Sequence, residues 1–135
     1  MTSFAARTGF AVFMAMTLLH AHAADAPPAK VTPLFTRALP DVAGKEGLML
    51  TVEYAPGGAS PSHRHNANTF VYVLEGSVVM QVAGGEEKTL QVGDTFYEAP
   101  TDIHSVSRNA SATQPAKILV FFVKDVGAAV SAPVR

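Results

Sequence analysis

From Leu34 onward the apolar residues fall in short alternating runs rather than at helical spacing. LMLTVEY, TFVYVLEGSVVMQVAGG, TFYEAP, IHSVS and KILVFFV are rich in Val, Phe, Tyr and Thr and are separated by Gly, Pro, Asn and Asp. Such runs predict strands and turns, and no segment after the leader sustains the three-and-four spacing of a helix. The pattern therefore predicts an all-β domain, a single antiparallel β-barrel or jelly roll.

The longest run, Thr69 to Val82, can be read residue by residue. Taking Glu75-Gly76 as a two-residue hairpin turn opposes Leu74 to Ser77. Thr69, Val71, Val73, Val78, Met80 and Val82 then share one face, with Phe70, Tyr72, Leu74, Val79 and Gln81 on the other. Both faces are largely apolar, as in a strand pair covered on each side. One face is expected to line the barrel; the other is expected to meet a second sheet or a second subunit, giving a homodimer. Ala83-Gly84-Gly85-Glu86 suggests a second hairpin, and Gly93-Asp94 opens a further strand.

The N-terminus reads differently. Arg7 is its only charge, an apolar stretch runs from Gly9 to Leu19, and Ala21-His22-Ala23 follows. This is the pattern of a signal peptide, and the stretch falls short of the about 20 residues that a spanning helix needs. Residues 1–23 are expected to be removed after export to the periplasm or medium, leaving no stable membrane insertion; an uncleaved anchor is the competing reading. Residues 24–33 read as a flexible lead-in, 34–126 as the barrel, and 127–135, small residues and proline, as a mobile tail.

Composition narrows the chemistry. In 135 residues one domain fits and two do not. A net charge of -1 gives no reason to expect nucleic acid as a partner. The absence of cysteine excludes disulfides, thiolate catalysis and Cys-type metal sites, so any metal must be held by nitrogen and oxygen. With His20 and His22 in the leader, the mature chain has only His63, His65 and His104. On an extended chain His63 and His65 lie on one face, about 6 to 7 Å apart at the backbone, with Arg64 turned away. Neutral imidazole suits zinc, iron, copper, nickel and manganese alike, although a solvated loop also accounts for a lone pair of this kind.

The setting of the pair resembles the cupin superfamily. Five residues separate Gly57 from His63; Arg64 and His65 follow, then three residues to Thr69 and six to Gly76, which is the spacing of the first cupin motif. Thr69 stands where that motif has glutamate. The second motif is similar to Gly93-Asp94 through Pro100 to His104, eleven residues after Gly93, with Asn109 one position late and Asp102 in place of a glycine. The likeness spans about residues 48 to 123.

This resemblance implies one divalent ion (Fe, Zn, Mn, Ni or Cu) on His63, His65 and His104, with water or a small-molecule substrate at the open positions. Cupins without the glutamate include three-histidine iron dioxygenases, which makes a small-molecule dioxygenase or related oxidoreductase the expectation. Its rival is a non-enzymatic binder of a metal ion or small apolar ligand; a barrel whose histidines are merely structural is a third reading. Glu98 is the candidate catalytic base, and Tyr97 and Asp102 are candidates to orient His104 from behind.

Overall fold

The computed structural model describes residues 25–134, so the leader and its proposed cleavage lie outside the described residues. Eleven strands and no helix occur among them: β1 (Lys30–Ala38), β2 (Lys45–Tyr54), β3 (Ala59–Ser60), β4 (His63–Arg64), β5 (Asn68–Glu75), β6 (Ser77–Val82), β7 (Lys88–Gln91), β8 (Thr95–Glu98), β9 (His104–Asn109), β10 (Ala116–Asp125) and β11 (Ala132–Pro133). They form two antiparallel sheets packed face to face. One runs β1-β2-β10-β5-β8; the other runs β11-β4-β9-β6-β7, with β3 also paired to β9.

Alternation places the core. Along β10, Ala116, Ile118, Val120, Phe122 and Lys124 are buried, while the residues between them are half-buried on the outer face. β2 contributes Leu48, Leu50 and Tyr54, β5 contributes Val71 and Val73, and β6 contributes Val78 and Met80. These side chains fill the space between the sheets, as expected of a two-layer β domain.

The inward set read from Thr69 to Val82 holds, but the hairpin does not. β5 pairs with β10 and β8, and β6 pairs with β9 and β7. At Gly76 the chain steps from one sheet to the other. Gly76 has a φ of +66°, and a Cβ there would lie 2.4 Å from the Pro115 carbonyl oxygen, so only glycine fits. A corner and a hairpin preserve the same alternation, which is why the apolar pattern gives the faces without the partners. The second hairpin is present, with Met80 opposite Lys88. β8 begins after Gly93, as the glycine-aspartate pair suggests.

Two boundaries move. Residues 30–33 belong to β1 and not to a flexible lead-in. β1 is an edge strand, and its register shifts between Pro33 and Phe35; an edge and a bulge are where proline is tolerated in a sheet. The tail is not free either, because Ala132 and Pro133 pair with Arg64 and His63. Across the outer face of the five-stranded sheet, Phe35, Met49, Phe121, Phe70 and Tyr97 stand in register as one apolar row. Phe70, Tyr72 and Leu74 of the face expected to meet a second subunit lie on this sheet, whereas Val79 and Gln81 lie on β6 of the other.

Replacing Gly76 with alanine should destabilise the domain by about 1–3 kcal/mol, from the disfavoured φ and the carbonyl contact together. Urea unfolding of the two proteins checks this, with an unchanged midpoint as the contrary result.

Candidate metal centre

β4, the residue just after it, and the start of β9 bring the three histidines together. His63 and His104 are direct partners across β4 and β9, and His65 is the next residue to face inward. Their ring centroids are 4.5, 5.1 and 6.4 Å apart, and one nitrogen of each lies within 4.8 Å of the others. Phe122 packs 4.9 Å from the His65 ring. Phe96 stacks 6.1 Å from His104. The β4–β9 pairing and these two aromatic neighbours hold the three imidazoles in place.

Hydrogen bonds set which nitrogen each ring offers. His63 Nδ1–H donates to the Pro61 carbonyl, and His65 Nδ1–H donates to the Val130 carbonyl, both at 2.8 Å. In the neutral pair both Nε2 lone pairs are therefore bare, and they face each other at 3.0 Å. That contact is repulsive unless a proton or a cation sits between. Burial, reinforced by His63, pushes His65 down to about 4 against the opposing effect of the Val130 carbonyl. Burial and the two neighbouring rings push His104 down to about 3. Both nitrogens of His104 are buried without a hydrogen-bond partner. Orphaned buried imidazole nitrogens beside two bare Nε2 atoms are the donor set a divalent ion requires.

Thr69 is fully buried, and its hydroxyl makes only a long 3.5 Å contact to the Ala67 carbonyl. Its direct partner across β5 and β8 is Glu98, and opposed residues share a face. The carboxylate that the first cupin motif places at position 69 thus enters the same interior from the neighbouring strand. Glu98 is 2% exposed, with Oε1 3.2 Å from His104 Nδ1 in an alignment that falls short of a hydrogen bond. Burial first, and the charge of Asp102 second, push Glu98 up to about 7.

The other two candidates do not touch His104. Tyr97 points outward from β8 and donates to Asn68 Oδ1 at 2.7 Å; strand alternation turns it away once Glu98 faces in. Asp102 accepts from the Ala99 backbone N–H at 2.7 Å, closing the turn between β8 and β9, and it acts on the site only through its field. Asn109, one place late in the motif, is buried and donates to the carbonyls of Ala55 and Gln114. It ties loops together rather than meeting the metal.

The histidines and Glu98 line a cavity of about 510 Å³ whose other walls include Leu50, Val71, Met80, Ile118, Val120 and Phe122. Tyr54 and Ser107 also line it, and their hydroxyls bond to each other at 2.6 Å. Nothing in the spacing of the motifs pointed to this pair or to the Val130 carbonyl. A backbone acceptor has no residue signature at all.

Residues 50–122 match the family of cupin domains, and the chain belongs to that family. It is similar to a Thermus thermophilus protein of known structure, at 31% identity and a TM-score of 0.56 over 72% of this chain and 84% of that one. An oxalate oxidase in complex with the substrate analogue glycolate gives 26% identity and a TM-score of 0.56 over 70% of this chain. The chain spans only 50% of the oxidase's length. A cupin-like protein of Thermotoga maritima shares the fold at 17% identity, with a TM-score of 0.62 over 78% of this chain and 75% of that one. No curated protein resembles the chain closely enough to count as a match.

Elemental analysis of the purified protein should find about one divalent ion per chain, lost in His63→Ala and in His104→Ala. Metal-free wild-type protein that takes up no added ion would sink the site. Glu98→Gln should weaken metal binding by about 10- to 100-fold, the usual cost of disturbing a group behind a ligand; chelator competition measures it.

Proposed function

We propose that the chain is an exported, metal-dependent cupin enzyme of the oxidoreductase class, an oxygenase acting on a small molecule with an anionic, metal-binding head and an apolar body. One observation carries the reading: three imidazoles and one buried carboxylate meet at a cavity that is otherwise mostly apolar. Three neutral ligands leave the double charge of the ion uncompensated, which favours an anionic head. The glycolate held by the similar oxalate oxidase is such a head. The volume lies within the about 300–1,000 Å³ usual for small-molecule sites.

The two bare Nε2 atoms, 3.0 Å apart, are close enough to be shared by one ion together with a nitrogen of His104. Such an ion, when bound, supplies Lewis acidity and open positions where substrate and dioxygen can lie side by side.

The chain's own residues would do the rest. His63 and His65 keep bare nitrogens toward the ion because their protons are committed to Pro61 and Val130. Leu50, Val120 and Phe122 exclude water from the ligand's apolar part. Glu98, pushed up to about 7, is poised to take a proton from an acidic C–H or O–H of the ligand at neutral pH. A non-enzymatic binder is the competing reading, favoured by the apolar walls and by the mutual satisfaction of Tyr54 and Ser107.

Protein loaded separately with ferrous iron, manganese, nickel, copper or zinc, and offered enolisable carboxylates and diketones, separates the two readings. The expected result is oxygen uptake with one of the redox-active metals, abolished in His104→Ala and reduced about 10²- to 10⁴-fold in Glu98→Gln. Calorimetric binding without turnover for every metal would establish the binder instead. For export, N-terminal sequencing of protein from the native host's extracytoplasmic fraction should begin at Ala24; an intact Met1 there would support the anchor.

A further inference from the structure

After β10 the chain turns at Gly127 and returns alongside the cavity, where Val130, Ser131, Ala132 and Pro133 form part of its wall. The root of this segment is firmly held. Lys124, 5% exposed, bonds to the Glu46 carboxylate and donates to the Ala128 carbonyl at 2.8 Å, while the Gly127 N–H reaches the same Glu46 oxygen. The tip is held more lightly, by a two-residue pairing with β4, by the Val130 side chain packed against the core and by the Val130 carbonyl's bond to His65. A tip with so few contacts is the kind of segment that local opening draws on first.

The two metal-facing histidines differ in where their acceptors come from. His63 bonds to Pro61, two residues away, so its ring is set as soon as its own loop forms. His65 bonds to Val130, 65 residues away, and has that acceptor only when the segment is docked. Without it the His65 proton is free to move to Nε2, the nitrogen a metal needs bare.

We propose that residues 127–133 form a strap that completes the metal site: docked, it holds His65 in the Nδ1–H tautomer through the Val130 carbonyl and closes part of the cavity wall, and undocked, it opens that wall and releases the ring. Val130 is thus a positioning residue, acting through His65. The consequence for metal rests on the three-histidine reading; the link between strap and tautomer does not.

The test compares the full-length chain with a variant ending at Ala129 and with Val130→Gly, which keeps the carbonyl but removes the apolar anchor. Long-range 15N–1H correlation spectra of the metal-free proteins should show His65 as the Nδ1–H tautomer in the full chain and as Nε2–H, or a mixture, in the truncated one. Val130→Gly should fall between them. Competition between protein and chelator for manganese or zinc should show affinity about 10- to 100-fold lower on truncation, and faster metal exchange in Val130→Gly. An unchanged His65 tautomer in the truncated protein overturns the proposal whatever the metal result. A tautomer change in a protein that binds no metal supports the strap and overturns the metal reading alone.

Discussion

Three imidazoles share one end of an apolar barrel, and the low polarity there decides what they can be. Burial holds His65 and His104 neutral well below neutral pH, so each ring carries one N–H and one lone pair, and the only open question is which nitrogen carries which. Backbone carbonyls answer it for His63 and His65. The same burial, helped by the charge of Asp102, acts in the opposite sense on Glu98 and pushes it up to about 7. One dominant physical cause therefore favours bare ligands and a proton-bearing carboxylate within one site.

The relation of Thr69 to Glu98 shows how a carboxylate missing from one motif position can be present in the same interior from the neighbouring strand. Position 69 on β5 and position 98 on β8 are opposed and share the interior. A carboxylate leaving one can be replaced from the other with a shift of about 5 Å between Cβ atoms. The two are not equivalent. From β8 the acid approaches His104 rather than joining the three nitrogens.

Much of this was legible in the sequence, and the gaps have physical reasons. Alternation in KILVFFV and in Thr69 to Val82 gave the strands and the buried faces, because period two is a local property. It could not give the partners of β5 and β6, since a glycine corner and a hairpin leave the same alternation behind. The histidine spacing picked out the three rings that the fold brings together, and the wider motif spacing identified the fold around them. Tyr97 and Asp102 were drawn in by closeness along the chain, whereas strand geometry turns one outward and uses the other to close a turn. The tail looked mobile because Ala, Ser and Pro carry little burial signal; what anchors it is backbone pairing and the Lys124–Glu46 pair, 78 residues apart.

The strand order has a consequence for the way the molecule comes into being. β10 lies between β2 and β5, so the middle of the larger sheet is missing until residues 116–125 have been made. Before then the first two strands and the fifth have complementary edges but no common neighbour, and the barrel cannot close from its N-terminal end. Assembly waits on loop closures that span much of the chain, which makes folding slow and leaves apolar strand edges open meanwhile. Local pairs such as β1–β2 and β6–β7 can form earlier, but the container is complete only when the chain nearly is.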